Sequence, residues 1–181
     1  MTGAFQTTKS GRAALLKAVF VFFGALVFFF WVFNNGWAFR HFIAPYTSLV
    51  AFVAASIFRL FGQAALQAGT IVTVNGNPLS IATGCNGAEA MALYFSAILA
   101  FPTEWRQKLV GLILGLVGIF TINQVRVIGL FIVAMVKPEI LPEAHNYAGQ
   151  TFVIVMGMAL WWFWAERFTG AGNAKNAEDG R

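Results

Sequence analysis

Polar positions are sparse along this chain, and they fall in clusters that divide it into apolar runs. A helix needs about 20 mostly apolar residues to cross a bilayer, and several runs approach that length. Ala13–Phe33 is the first, with Lys17 near its start and able to snorkel toward the headgroups. Asn34-Asn35-Gly36-Trp37 follow it instead of the small residues of a cleavage site, so it is expected to remain as an anchor. Asn86–Phe101 is the second run, closed by Pro102, and predicts a helix of about 24 Å. Leu109–Val136 is the third, about 42 Å if wholly helical, with Asn123 and Arg126 inside it. Tyr147–Ala165 is the fourth and ends in Trp161, Trp162 and Trp164, which suit an interfacial aromatic belt.

Two stretches break this pattern. In Tyr46–Gln67, Ser48, Ser56, Arg59, Gln63 and Gln67 recur at three- to four-residue spacing. That spacing predicts a helix with a polar stripe. Arg59 in its middle would cost ~3 kcal/mol against lipid, so the helix is expected to lie on the outer membrane surface. In Thr70–Ala82 two β-prone runs flank Asn75-Gly76, a strong hairpin signal. Pro78 marks the second arm as an edge. Open strand edges go unsatisfied in lipid, so this short hairpin is expected outside the hydrocarbon. The fold class is therefore an all-α integral membrane protein: about four transmembrane helices, an amphipathic outer-surface helix and a short extracytoplasmic β-hairpin.

Composition agrees. The 181 residues are 59% hydrophobic and 10% charged, against ~25% charged in a soluble domain. One membrane-embedded domain over residues 1–168 is expected, its catalytic core at about 70–168 and a disordered cytoplasmic tail at 169–181. The net charge of +5 fits basic loops held in the cytoplasm rather than nucleic-acid binding, so the lipid bilayer is the expected partner and nucleic acid is not. Two distant histidines and no clustered carboxylates predict neither a metal nor another cofactor.

Loop charge orients the chain. With Lys9 and Arg12 inside, four spans leave the Arg106/Lys108 turn inside and the uncharged hairpin and the 137–146 loop outside. Cys85, the only cysteine, then stands at the outer end of the second span, bracketed by Gly84 and Gly87. Arg126, about 26 Å along the third span, reaches nearly the same level, and His145 precedes the fourth span there too. A thiol near a helix N-terminus gains from the dipole. A histidine serves as base toward the thiol and acid toward a leaving amine. An arginine stabilises an oxyanion or holds a carbonyl. Together they suit acyl transfer through a thioester, and Asn123 lies on the same helix face as Arg126, where it could orient it.

Taken singly, each residue has a plainer explanation: a packed cysteine, a structural histidine, an arginine paired with Glu89. His41 and Arg59 are read as structural. A non-enzymatic membrane scaffold fits the same composition, as does a small transporter with Arg59 and Arg126 lining a path. The common depth of thiol, imidazole and guanidinium favours an enzyme, and no internal repeat supports a transporter.

The segments T-G-C-N-G, N-Q-V-R and A-H-N-Y, each beside or within a span, resemble the exosortase/archaeosortase family. The turn F-P-T-E-W-R-Q-K-L-V-G and the run N-x-x-R-V-I-G-L look most like exosortase H. The resemblance covers about Ile81–Phe168, and it departs at Asn86, where many members carry serine. It implies a membrane cysteine protease or transpeptidase of the bacterial cytoplasmic membrane. Cys85 would be its nucleophile, completed by Arg126 and His145 and supported by Asn123, Asn86, Gly84 and Gly87. The implied substrates are secreted proteins whose C-terminus carries a sorting motif, a transmembrane helix and a basic end. They would be cut at the extracytoplasmic face, with a surface nucleophile as possible acceptor.

Overall fold

The computed structural model of the chain describes residues 9–82 and 84–169, with side chains from residue 12. Residues 1–8 and 170–181 lie outside the described residues, and with them nearly all of the tail expected at 169–181. Helix α1 (Lys9–Asn34) carries no buried side chain among its described ones and packs along α4 (Ala88–Ala100). Asn35 then breaks the helix. Its backbone is extended, and its side-chain oxygen accepts from the N–H groups of Trp37 and Ala38 at 3.1 Å, which caps the next turn. That turn is α2 (Gly36–Ala38), followed by a π-helical turn at Phe39–Ile43 and by α3 (Ala44–Leu60).

A small antiparallel sheet follows, in the order β1 (Ala65–Ala68), β2 (Ile71–Val74), β3 (Asn77–Ser80). Asn75 at φ 50 and Gly76 at φ 84 form its expected two-residue turn, with both residues in the left-handed region that a primed hairpin turn requires. The first strand was not expected. The helix ends at Leu60, and Gly62 at φ +76 turns the chain away. Gln63 and Gln67, read as the end of a polar helical stripe, instead lie in the turn and in β1. There Gln63 accepts from the Asn75 amide and Gln67 donates to Ser48 Oγ at 3.2 Å.

Helix α5 (Trp105–Val136) is the longest element, about 48 Å, against a hydrocarbon core of ~30 Å. Near its start it packs closely on α4 and on α7 (Gln150–Phe168) through a row of glycines. A Cβ on Gly115 would come within 2.2 Å of Tyr94, and one on Gly118 within 2.5 Å of Leu160. Small residues of this kind let membrane helices approach without a hydrophobic driving force. The C-terminal half of α5 has different neighbours. Tyr46 packs on Phe120, Gln124 donates to the carbonyl of Val50, and Phe58 packs on Phe131. Helix α3 thus runs beside α5 in the same direction. It presents Ala51, Ala54 and Ala55 to Val72 and Val74 of the sheet.

Among the described residues, four helical stretches are long and apolar enough to cross a membrane: 12–34, 36–60, 105–136 and 138–168. The count agrees with expectation, but one member differs. Helix α4 has 13 residues, about 20 Å, shorter than the expected second span. The stretch read as a surface helix has the length to span. By its contacts α3 packs between the later part of α5 and the sheet, with Leu49, Phe52 and Leu60 on its exposed side. Arg59 projects from its exposed side, on Ser56 Oγ at 3.0 Å and over the Phe52 ring.

Candidate active site

The connection from β3 to α4 carries Cys85. Gly84 and Gly87 sit at φ +92 and +79, where an L-residue costs ~1–2 kcal/mol. Between them the Cys85 N–H donates to the Ala82 carbonyl at 3.0 Å, a tight turn. Asn86 has no exposure and anchors the loop from both ends of its amide. Its oxygen accepts from the Ala88 N–H at 3.0 Å, and its nitrogen donates to Thr47 Oγ1 at 2.8 Å. Thr47 in turn donates to the Ile43 carbonyl, so the turn before α4 is tied to α3.

Three segments converge on this loop. Arg126, buried in α5, donates from Nη1 to the Gly84 carbonyl at 3.0 Å. His145 lies on a π-helical turn (Ala144–Gly149) that follows a 3-10 turn at Pro138–Ile140 and α6 (Leu141–Glu143). Its Nε2 meets Cys85 Sγ across a gap of 60 residues in sequence. The other ring nitrogen, Nδ1, is 3.1 Å from Asn146 Oδ1. With the Nδ1 proton donated to that oxygen, Nε2 is left to accept from the thiol. Single π-helical turns recur at functional sites; this one turns both His145 and Asn146 toward the loop.

Glycines make room for the convergence. A Cβ on Gly149 would stand 2.9 Å from Arg126 Nε, and one on Gly87 2.8 Å from Asn123 Cγ. Asn123 is fully buried against Gly87, and neither atom of its amide has a partner among the described residues. It therefore does not orient Arg126 through a hydrogen bond, contrary to expectation; it packs under the loop.

The electrostatics correct a second expectation. Cys85 is 9% exposed and stands before α4 rather than in its first turn, so the dipole does not dominate. Burial pushes the thiol above its ordinary value; the Arg126 charge pulls it down, and Glu89 pushes it up further. Among these influences burial is the largest, and it disfavours the charged thiol.

Cys85 and His145 line one cavity of about 360 Å³, walled by Leu79–Ala82 on one side and by Leu141 and Pro142 on the other. A smaller one of about 150 Å³, with Glu89, Arg126 and Gln150, lies across the loop. Cys85, Arg126, His145, Gly84, Gly87, Asn86 and Asn123 are thus all brought together. His41, stacked on Trp37, and Arg59 are exposed elsewhere. Among the described residues no group of three histidine, cysteine or carboxylate side chains could hold a metal. Asn146, Thr47 and Gly149 were missed. Asn146 was adjacent to a candidate base in A-H-N-Y, a signal that could have found it; Thr47 and Gly149 carry no such mark.

A family model described as Transmembrane exosortase matches residues 6–163. No curated protein and no solved structure matches the chain.

Proposed function

Since this chain belongs to the transmembrane exosortase family, multi-pass membrane proteins with a transpeptidase and sorting role, we propose that it cleaves the C-terminal sorting signal of secreted proteins through a thioester on Cys85. The observation that carries this reading is the contact of Cys85 Sγ with His145 Nε2 beside the Arg126 bond to Gly84. The Sγ proton passes to Nε2 as sulfur attacks the substrate carbonyl carbon. Collapse breaks the C–N bond, and Nε2 returns the proton to the leaving amine. A second nucleophile, water or a surface amine, gives its proton to Nε2, attacks the thioester and restores the thiol. Arg126 lowers the cost of the sulfur charge and, through the Gly84 carbonyl, holds the turn that presents it.

The site faces outward in this reading. Arg126 lies about 30 Å along α5 from Arg106, which with Lys108 stands in the first turn of that helix rather than in a loop before it; that is one bilayer thickness, and basic residues at short connections stay in the cytoplasm. The substrate is a secreted protein with a motif, an apolar helix and a basic end, held in the bacterial cytoplasmic membrane.

The test uses a membrane reporter ending in a randomised extended segment, an apolar helix and a Lys/Arg-rich end. Members that lose their C-terminal epitope are selected on the wild-type protein. Cys85→Ala is expected to abolish processing while the protein still accumulates, and a bilayer-impermeant thiol reagent is expected to label Cys85 faster in wild type than in His145→Ala. Continued processing by Cys85→Ala overturns the reading.

A further inference from the structure

We propose that the free edge of β3 is the docking strand for the substrate segment that leads into the scissile bond. This deepens the proposed function and rests on Cys85 being the nucleophile.

The ladder fixes which backbone groups of β3 are free. Val74 pairs with Asn77, Val72 with Leu79, Thr73 with Pro78 and Ile71 with Ser80. Narrow, hydrogen-bonded pairs alternate with wide ones in an antiparallel ladder. The Ile81 N–H donates to the Thr70 carbonyl at 2.9 Å, and a two-residue turn is closed by a bonded pair, here Val74 and Asn77. Leu79 is therefore bonded to β2, and Pro78 and Ser80 turn their backbone groups away. Pro78, which has no N–H to give, sits at an outward position where none is needed. Ser80 alone in β3 offers both an outward N–H and an outward C=O. Among the described residues no fourth strand covers them: β3 is terminal in the sheet order.

An unpaired edge is a template for another strand, and adding an extended peptide to one is a recurring mode of recognition. Asn77, Pro78 and Ser80 are exposed, and the Ser80 end of the edge borders the site. Ser80 and its neighbours through Ala82 form one wall of the cavity that holds Cys85 and His145. Four residues separate Ser80 from Cys85, so β3 runs toward the reacting atoms.

The occupant follows from direction. A substrate whose C-terminal part is a membrane helix enters the site from the side of the sheet and leaves it into the bilayer. It thus runs with β3, and the added strand is parallel. The Ser80 N–H donates to one substrate carbonyl, and its C=O accepts from the N–H two residues further along. Side chains of the docked segment alternate between the apolar wall, with Leu130 and Phe131, and the outside. Selection would then act on alternate substrate positions, while backbone pairing serves any extended segment.

The experiment compares Ser80→Ala with Ser80→Pro on the selected reporter. Ser80→Ala keeps the backbone donor and is expected to process at least fivefold faster than Ser80→Pro. Ser80→Pro removes the N–H at a position the ladder does not use, and is expected to slow processing at least tenfold. A small thiol reagent should still label Cys85 in Ser80→Pro at the wild-type rate, which separates lost docking from a lost fold. Independently, a peptide of the selected extended segment, added to the Cys85→Ala protein, should slow hydrogen exchange at the Ser80 amide. Wild-type processing by Ser80→Pro, or an unprotected Ser80 amide, overturns the docking strand while leaving Cys85 as the nucleophile. If no reporter is processed, or Cys85→Ala still processes, the functional reading fails and the docking strand with it.

Discussion

Gly149→Ala separates the placement of Arg126 from helix stability. Gly149 has ordinary helical backbone angles, φ −65 and ψ −40, so alanine should favour the helix by ~1 kcal/mol. Its Cβ, however, would stand 2.9 Å from Arg126 Nε, where uncrowded atoms keep ~3.5 Å. The guanidinium must yield by about 0.6 Å, and at 6% exposure it has little free space. Its 3.0 Å bond to the Gly84 carbonyl then stretches to about 3.6 Å, beyond hydrogen-bond reach. A charged hydrogen bond contributes ~1.5–3 kcal/mol, so processing of the selected reporter should fall by about 10- to 150-fold. Gly157→Ala, in α7 directly after the π-helical turn that holds Gly149, is the control. Its Cβ meets only Ile119 Cδ1, at 3.4 Å; Tm should rise by ~2–4 °C with processing within twofold. Wild-type processing by Gly149→Ala would refute the argument that this glycine seats Arg126. A fall in Tm matching the fall in activity would reduce the effect to folding.

Three further outcomes are expected. Because burial raises the Cys85 thiol, alkylation of Cys85 in His145→Ala should keep climbing above the pH ~8.5 of an ordinary thiol. Arg126→Gln should move that profile to higher pH and Glu89→Gln to lower pH, and shifts of the same sign would contradict the charge assignment. Asn146→Ala removes the acceptor 3.1 Å from His145 Nδ1 and should slow reporter processing about tenfold, the worth of one hydrogen bond, with Tm unchanged. Thr47→Val keeps the shape but leaves the fully buried Asn86 nitrogen without its 2.8 Å partner. A loss of ~1–3 kcal/mol is expected, read as a drop in Tm in detergent.

The long helices were legible because a bilayer demands long apolar runs, and α1, α5 and α7 follow them. The turn at Asn75-Gly76 was legible because few dipeptides tolerate two left-handed residues. Two features were not. The end of α3 and the start of β1 share one apolar-polar rhythm, so Gln63 and Gln67 extended a helical stripe on paper. Only Gly62 marked the break, and a lone glycine is a weak stop. Nor could length tell α3 from a span: its Ala51, Ala54 and Ala55 face is apolar because the sheet lies on it, and lipid would accept the same face. Apolar pattern reports what a residue avoids, which is water, and leaves open what it touches instead.

The site was more legible than its support, for a related reason. Cys85, Arg126 and His145 are costly or rare in apolar surroundings, so each stood out, and counting helical rise from the basic turn brought them to one depth. Depth is one coordinate of three. The lateral arrangement rests on residues that looked unremarkable: Gly87 and Gly149, which admit Asn123 and Arg126, and Thr47, which holds Asn86. The same arrangement bears on how the thiol is activated. A cysteine inside the first turn of α4 could keep its charge by the dipole alone. Three residues earlier and 9% exposed, its thiol is pushed up by burial, and the proposed mechanism therefore ionises it by transfer to His145. In the proposed mechanism nucleophile and base act together, so losing the Nδ1 bond to Asn146 or the Arg126 hold on Gly84 should lower the rate without changing the fold. A resting thiolate would tolerate His145→Ala; a thiol raised by burial should not.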